Sequence, residues 1–320
     1  MTGALVQGTR CAAIVYNPVK VDRAALEAAL EAARPATGWA GERWYATTVE
    51  DAGAGLAAEA AAAGASVVVA AGGDGTVRAV AEGLHGSGVP LALIPGGTGN
   101  LLARNLGVEA RSLTAHAHAV YAGSDVPIDV GVITLHRADG ERAEHVFLVI
   151  AGMGIDAAMI ARTDERLKRR VGWVAYLDGG FRALVGYRPL RVRYSIDDGA
   201  PRSVQAHSFM VGNCGELPGG MQLIPEARLD DGVLDVLLLR PRGTMGWLQA
   251  WHRVGWENRL QRAGRQPRRR ADAGALEYHR AVRADVEADT VQDVQLDGDE
   301  FGQAVGFVAR IDPGSLLVRI

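Results

Sequence analysis

The chain has 320 residues, and its 34 lysines and arginines against 37 aspartates and glutamates leave a net charge of −3, so we expect no nucleic-acid partner. Hydrophobic residues make up 48% of the chain and charged residues 22%, a composition typical of folded globular proteins and not of disordered ones. The two cysteines, Cys11 and Cys214, exclude a disulfide framework, and since no signal peptide or membrane span is evident, we expect a cytoplasmic protein.

Short apolar runs alternate with helical patterns in the first part of the chain. In chain order, the predicted strands and helices are Cys11–Pro18, Asp22–Ala33, Glu42–Thr48, Ala52–Ala65, Ser66–Gly73, Thr76–Gly86, Pro90–Gly97 and Thr98–Gly107. A repeated strand–helix order with continuous apolar strands predicts a parallel sheet that is covered by helices on both faces. Ligands of such sheets bind beyond the carboxyl ends of the strands, where both glycine-rich loops of this sequence lie.

Strand-like runs predominate after Ile133, with helical patterns near Leu167–Leu184 and Met245–Leu260. This arrangement predicts an antiparallel, sandwich-like second domain. We therefore predict an α/β domain at residues 1–133 and a β-sandwich domain at residues 134–311.

The first glycine-rich loop, GGDGT, follows a predicted strand and precedes a predicted helix. Gly72, Gly73 and Gly75 are expected to turn with positive φ and to let phosphate oxygens approach backbone N–H groups. The helix start near Thr76 adds the positive end of its dipole, and the Thr76 hydroxyl either caps the helix or binds phosphate. Asp74 would repel phosphates unless a divalent cation bridged them, which predicts Mg²⁺. A tight turn with an aspartate cap is the alternative.

The second loop, PGGTGN, repeats this pattern one strand–helix unit later. Gly97 and its neighbouring glycines frame Thr98, and Asn100 stands at the start of the next predicted helix. Two such loops at neighbouring strand ends favour a nucleotide polyphosphate site. Neither loop is a Walker loop, and neither is a G-x-G-x-x-G motif followed by a ribose-binding acid.

A cluster of carboxylates near the end of the chain, in LDGDEFG, is the candidate for proton transfer. Phosphoryl transfer to an alcohol needs a group that accepts the hydroxyl proton. An Asp-Gly-Asp turn would place Asp297 and Asp299 side by side, so that one faces metal or solvent and the other faces substrate. Glu300 is adjacent, and an ordinary Asp-Gly hairpin turn is the alternative interpretation.

Taken together, the motifs resemble the lipid-kinase superfamily of the diacylglycerol and sphingosine kinases. The segments that carry the resemblance are YNPVK, GGDGT, PGGTGNLLARNLG, AGMGIDA, KRRVGWVAYL, GGMQLIPEARLDDGVLDV and VQLDGDEFG. The resemblance implies a phosphofructokinase- or NAD-kinase-like nucleotide domain, a C-terminal antiparallel β-sandwich domain, and a return strand at residues 312–320 that belongs to the first domain. It also implies an ATP- and Mg²⁺-dependent kinase that phosphorylates the hydroxyl of diacylglycerol or a related lipid.

The resemblance also implies roles for individual residues. Asn17 of YNPVK joins the two loops in the nucleotide site, and Asp231 belongs to a water–Mg²⁺ network with a supporting role. The family carries a glutamate proposed as general base two positions after Asp297. Here that position is Asp299, with Glu300 beside it, so we favour Asp299 as the base and keep Glu300 as the alternative.

Three departures from the family pattern leave alternatives open. Arg78-Ala79 replace the usual Asn-Glu, Leu101 replaces an aspartate, and Lys20 lies two residues closer to its strand than the family's lysine. Lys20 is therefore either a phosphate ligand or a solvated loop charge. The alternatives are an NAD-kinase-like enzyme and a nucleotide-binding regulatory protein with impaired catalysis.

Partners are inferred from the lipid substrate. A lipid acceptor implies peripheral contact with a membrane surface, for which Trp247, Trp251 and the arginine-rich segment Arg259–Gly274 are candidates unless the tryptophans fill the core. A homodimer is left open. His116 and His118 are two residues apart on a predicted helix, so they are not a metal pair, and we expect both at the surface.

Overall fold

The computed structural model describes residues 10–154, 189–217, 221–224, 226–241, 246 and 275–320. They form two compact units. The first takes in the described residues within Met1–Val130, Leu229–Gly232 and Asp312–Ile320, and the second those within Gly131–Arg228 and Val233–Ile311. Among the described residues, no helix is both long and apolar enough to cross a membrane.

The first unit alternates strands and helices along the chain. In order, these are β1 (Ala12–Tyr16), α1 (Arg23–Ala33), β2 (Arg43–Ala46), α2 (Ala54–Ala62), β3 (Val67–Gly72), α3 (Asp74–Leu84), β4 (Leu91–Pro95), α4 (Leu101–Asn105) and α5 (Leu113–Ala122). α1 begins where the carboxylate of Asp22 accepts the N–H groups of Ala24 and Ala25, at 3.0 and 3.2 Å. The sequence pattern predicted each of the strands and helices from β1 to α4.

The strands of this unit form a parallel sheet in the order β2–β1–β3–β4. Near the chain end, Val318 and Arg319 pair in parallel with β4. Every residue of β1 and β3 is buried, because α1 and α5 pack together over one set of alternating side chains and α2 and α3 pack together over the other. From β1 the chain adds β2 on one side, and from β3 it adds β4 on the other side, so the connectivity reverses between β1 and β3. Ligands of such sheets bind at the carboxyl ends of the strands beside this reversal, which is here called the ligand edge.

The second unit is built mainly from antiparallel strands. They are β5 (Asp125–His136, which begins in the first unit), β6 (Arg142–Phe147), β7 (Ile150–Gly154), β8 (Leu190–Ile196), β9 (Arg202–Ala206), β10 (Ser208–Gly212), β11 (Glu216–Leu217), β12 (Met221–Gln222), β13 (Leu234–Leu239), β14 (Leu276–Ala281), β15 (Arg283–Leu296) and β16 (Asp299–Arg319, which ends in the first unit). Alternating apolar residues of these strands meet in one core around Phe147, Phe209 and Phe307. The predicted fold class, an α/β unit followed by an antiparallel β unit, is confirmed.

The observed division differs from the predicted boundaries in two places. The first unit ends at Val130 instead of residue 133, and it also includes Leu229–Gly232. The physical reason for the second difference is Asp129, which is 4% exposed. Its two carboxylate oxygens accept the N–H groups of Gly232 (2.7 Å) and Gly314 (2.8 Å) and so hold both distant segments in this unit.

His116 corrects a sequence expectation. It is 5% exposed, so its predicted surface position is wrong, whereas His118 is exposed as expected. Burial, and then the positive charge of Arg111, lower the pKa of His116 below 6.5, so burial favours the neutral ring in the folded protein. The helical patterns at 167–184 and 245–260, and the tryptophans and arginines considered for membrane contact, lie outside the described residues.

Candidate active site

The candidate nucleotide site lies at the ligand edge of the parallel sheet. β1 and β3 are neighbours, but the chain leaves them toward opposite faces, since α1 packs with α5 and α3 packs with α2. Diverging loops at such a reversal leave a crevice open at the carboxyl ends of the strands. Asn17 to Lys20 follow β1 and Gly73 follows β3, so both predicted loop segments border this edge.

Lys20 reaches from the loop after β1 to the first glycine-rich loop. A Cβ atom placed on Gly73 would lie 2.6 Å from Lys20 Nζ, so the ammonium group sits against the bare Cα of Gly73. The side chain of Asn17 shapes this loop, because its Oδ1 accepts the N–H of Val19 at 2.9 Å. The lysine is exposed, and its ammonium group lies at the surface of the first glycine-rich loop.

The first glycine-rich loop differs from expectation in its backbone. None of Gly72, Gly73 and Gly75 has a positive φ, so that prediction is wrong. Gly73 is the extended N-terminal cap of α3, which begins at Asp74, two residues earlier than expected. Thr76 does not cap the helix. Its side chain is buried and packs against Gly72, where an added Cβ would be only 2.7 Å from the Thr76 hydroxyl oxygen. Gly72 and Gly73 therefore provide space for the side chains of Thr76 and Lys20 and do not form left-handed turns.

Asp74 joins the two glycine-rich loops. Its Oδ2 accepts the N–H of Asn100 at 3.0 Å, and its Oδ1 accepts the N–H of Leu101 at 2.5 Å. The carboxylate thus satisfies backbone donors at the start of α4, and it does not cap its own helix. These two hydrogen bonds could not be predicted from the sequence, because they depend on β3 and β4 being adjacent in the sheet. They give Asp74 a role in positioning the second loop that needs no cation.

The second loop is closed by Asn100 and packs on the first. Asn100 has a left-handed backbone (φ 48°), and its Oδ1 accepts the N–H of Gly97 at 3.2 Å. The N–H of Gly96 donates to the carbonyl of Gly72 at 2.7 Å. A Cβ on Gly97 would be 3.0 Å from the Cα of Gly73, so the second loop has little room for a side chain at this contact. Thr98 stands exposed at the tip.

Asp74 is chemically suited to bind a magnesium ion that arrives with a nucleotide. Asp74 offers a carboxylate where the two glycine-rich loops meet, and its oxygens accept the N–H groups of Asn100 and Leu101. Mg²⁺ at nucleotide sites commonly takes one or two carboxylates together with phosphates and water. No group of three or more His, Cys, Asp or Glu that could hold a metal is found in the part of the chain that the structure describes, so an all-protein cage is not formed there.

The Asp-Gly-Asp segment of the second unit is a two-residue hairpin loop. Asp297 (φ 51°) and Gly298 (φ 91°) are both left-handed, and Leu296 pairs with Asp299 across the loop. These are the features of a type I′ turn, for which Asp-Gly is a favoured sequence. Asp297 is 5% exposed, whereas Asp299 and Glu300 at the start of β16 are both exposed. The two predicted carboxylates therefore lie in different environments.

Asp231 lies in the segment of the first unit that Asp129 holds. The N–H of the next residue, Gly232, donates to Asp129 at 2.7 Å. Arg78 and Ala79, which depart from the family pattern, are buried one turn into α3, and Arg78 pairs with Glu82 at 2.6 Å. The catalytic, nucleotide-binding and metal-binding roles of all these residues stay predictions.

Comparison with known proteins decides the family. Residues 12–133 match the diacylglycerol kinase catalytic domain, and residues 149–320 match the YegS C-terminal NAD kinase beta sandwich-like domain. A Pseudomonas aeruginosa (strain UCBPP-PA14) protein named "Probable lipid kinase YegS-like" is 34% identical over 259 residues, which are 78% of this chain and 74% of that protein. This chain belongs to the diacylglycerol kinase-like family of lipid kinases.

Further relatives of this lipid kinase family agree. The diacylglycerol kinase of Bacillus subtilis (strain 168) is 31% identical over 198 residues, which are 61% of this chain and 62% of that protein. A crystal structure of a diacylglycerol kinase from Bacillus anthracis str. Sterne covers 98% of both chains with a TM-score of 0.66 and 21% identity. A second structure from that strain has a TM-score of 0.72 at 22% identity and covers 100% of this chain and 97% of its own. The structures show the shared fold.

Proposed function

We propose that the protein transfers the γ-phosphoryl group of Mg²⁺-bound ATP to the hydroxyl of diacylglycerol or a related lipid. The observation that carries the proposal is the meeting of Lys20 and the two glycine-rich loops at the strand reversal of a lipid kinase family member. The proposal includes peripheral contact with a membrane surface, where the lipid hydroxyl is found.

The nucleotide half of the proposal rests on charge and space. The ammonium of Lys20 offers a positive charge beside Gly73, where polyphosphate oxygens could approach a backbone without side chains. Asp74 holds the second loop against the first, which gives the phosphates a preformed surface and lowers the entropic cost of binding them. When bound, Mg²⁺ would neutralise negative charge on the β- and γ-phosphates, with Asp74 as its protein ligand.

The transfer itself needs one proton acceptor. The lipid oxygen attacks the γ-phosphorus, the bond from that phosphorus to the bridging oxygen of ADP breaks, and the hydroxyl proton passes to a carboxylate. Asp299 is the proposed acceptor, with Glu300 as the alternative. Both are exposed, which allows a substrate hydroxyl to reach them, whereas Asp297 is almost fully buried.

Transfer of label from γ-labelled ATP to mixed micelles that contain diacylglycerol tests this function. Asp299→Asn is expected to lower kcat by about 100-fold or more, since loss of a general base costs roughly 10²–10⁴ in rate. Asp293→Asn is the matched control, because Asp293 is an exposed carboxylate of the same hairpin whose partner Gln303 is another surface side chain. The same loss with Glu300→Gln, and none with Asp299→Asn, would transfer the role to Glu300.

The acceptor must be compared with NAD in the same assay, because the second domain matches a family described as NAD kinase-like. Label on NAD and none on lipid would overturn the proposal in favour of an NAD-kinase-like enzyme. Tight ATP binding with no transfer to any lipid or to NAD would instead support a regulatory protein.

A further inference from the structure

The buried carboxylate of Asp297 is bound by three consecutive backbone N–H groups. Its Oδ2 accepts the N–H of Leu148 at 2.8 Å, and its Oδ1 accepts those of Val149 and Ile150 at 2.8 and 2.9 Å. Consecutive N–H groups that converge on one anion form a backbone nest, and hydrogen bonds to an ionised acceptor are about twice as strong as neutral ones. The segment Leu148–Ile150, which links β6 to β7, is here called the amide arch.

The carbonyl groups of the amide arch are also bound. The carbonyl of Leu148 accepts the side-chain N–H of Asn213 at 3.2 Å and the thiol of Cys214 at 3.4 Å. The carbonyl of Val149 accepts the backbone N–H of Asn213 at 2.8 Å, and that of Ile150 accepts the backbone N–H of Asp297 at 2.8 Å. Burial, and then the negative charge of Asp297, raise the pKa of the Cys214 thiol, which therefore stays protonated as a donor. The arch is thus held on both sides.

The hairpin loop is fixed by the same contacts. Asp297 bonds to the arch through both its backbone N–H and its carboxylate, and its left-handed backbone is one that aspartate tolerates. Asp299 follows two residues later as the first residue of β16. Any displacement of Asp297 would therefore be passed through Gly298 to Asp299 and Glu300.

We propose that Asp297 is a positioning residue whose carboxylate fills the amide nest and sets the place of Asp299 and Glu300. This inference rests on the proposed function, because it assigns the proton acceptor to the residues that Asp297 positions. A carboxylate offers about four lone-pair sites, of which three accept arch N–H groups, and the side chain is 5% exposed. Asp297 is therefore poorly placed to accept a proton from a lipid hydroxyl itself.

Asp297→Gly is the variant that tests the nest. Glycine keeps the left-handed φ and the type I′ turn and removes only the carboxylate. We expect kcat to fall about 10- to 100-fold, the size of effect that a small misplacement of a catalytic group can produce, while KM for ATP changes less than about twofold. Amide hydrogen exchange at Leu148, Val149 and Ile150 is expected to accelerate in the variant and to stay unchanged in Asp299→Asn.

Small anions separate positioning from base catalysis. Formate and nitrate both have oxygens that can fill the vacated nest, but nitrate is too weak a base to accept the hydroxyl proton. Both are expected to raise kcat of Asp297→Gly and to slow exchange at the arch, with no stimulation of the wild-type enzyme. Rescue by formate alone would identify Asp297 as the base and overturn the inference.

The exchange measurement also keeps the inference separate from the proposed function. Wild-type exchange rates at the arch in Asp297→Gly would overturn the inference whatever the activity. If the wild-type protein transfers phosphate to no lipid, the proposed function fails, and with it the assignment of the positioned base. Should Asp297→Gly fail to fold, Asp297→Asn provides the second variant, because asparagine keeps one acceptor oxygen but turns an NH₂ group toward the arch. We then expect a partial loss of protection of the arch amides from hydrogen exchange. Unchanged protection would contradict the nest.

Discussion

The ammonium group of Lys20 lies against the bare Cα of Gly73, at the loop that follows β3. The sequence placed a lysine after the first strand but left open whether it binds phosphate or is a solvated loop charge. Its contact with Gly73 depends on β1 and β3 being neighbours, a pairing between segments that are far apart in the chain. Asp74 is similar, since its residue type was predicted to matter but its bonds to Asn100 and Leu101 were not.

Replacing Lys20 should weaken nucleotide binding. We expect Lys20→Ala to raise the Kd for ATP about tenfold or more, because a hydrogen bond to a charged group contributes roughly 1.5–3 kcal/mol. Lys20→Arg should retain part of the affinity. Arg193→Ala, which removes an exposed cation of the second unit, is the control. Calorimetric titration with ATP measures all three, and an unchanged Kd for Lys20→Ala would return this lysine to the role of a solvated loop charge.

The buried His116 should make the first unit sensitive to acid. Its folded-state pKa is lowered from 6.5 by burial, so below that pH the unfolded chain binds a proton that the folded protein resists. Stability should therefore fall as the pH drops through about 6.5. His116→Gln should reduce this slope, and His118→Gln, at an exposed position of the same helix, should not. Urea unfolding over a pH series measures the slopes; equal slopes in all three proteins would contradict the burial argument.

At the scale of elements, the packing of α2 on α3 depends on a glycine. A Cβ on Gly83 of α3 would lie 2.2 Å from the backbone carbonyl oxygen of Ala54 in α2. Glycine to alanine in a helix normally stabilises by about 1 kcal/mol, but here the helices would have to separate. We expect Gly83→Ala to destabilise the protein by about 1–3 kcal/mol, the usual cost of overpacking.

Gly55 in α2 provides the comparison for this variant. A Cβ there would meet only the side chain of Asp51, 2.6 Å from the Oδ2 that accepts the N–H of Leu56. Gly55→Ala should therefore change stability by less than about 1 kcal/mol, because the helix-propensity gain offsets the displacement of Asp51. Thermal unfolding measures the stability change of each variant. Equal changes in Gly83→Ala and Gly55→Ala would show that the helix contact does not restrict residue 83.

The local sequence accounts for most elements but not for the contacts between them. Strand–helix alternation located the elements from β1 to α4, and the aspartate at position 22 marked the start of α1. The type I′ turn at Asp297 was visible as an alternative in the sequence. The amide arch was not, because its donors lie far from Asp297 along the chain and are ordinary apolar residues.

At the scale of the whole molecule, the first unit is assembled from three separate parts of the chain. Sequence patterns alone could not assign Leu229–Gly232 to it, because that assignment depends on one buried carboxylate within a long strand. Asp129 accepts N–H groups from both added segments and also donates its own N–H to the carbonyl of Leu229 at 2.6 Å.

Removing this carboxylate should destabilise the first unit. Asp129→Ala leaves the N–H groups of Gly232 and Gly314 without their acceptor, at a cost of about 1–3 kcal/mol for each group that stays buried. Asp125→Ala is the control on the same strand, because Asp125 makes a partly exposed ion pair with Arg319 that should contribute about 1 kcal/mol or less. Denaturant unfolding compares the two, and similar losses would contradict the role of Asp129.

In the proposed function, this lipid kinase family member moves phosphate from ATP to a lipid alcohol, with Asp299 or Glu300 as proton acceptor. The most direct test measures label from γ-labelled ATP in extracted lipid, with diacylglycerol micelles and Mg²⁺, for the wild-type protein and for Asp299→Asn with Glu300→Gln. We expect labelled phosphatidic acid from the wild-type protein and almost none from the double variant. Equal labelling by both proteins would contradict the mechanism, and label on NAD alone would contradict the function.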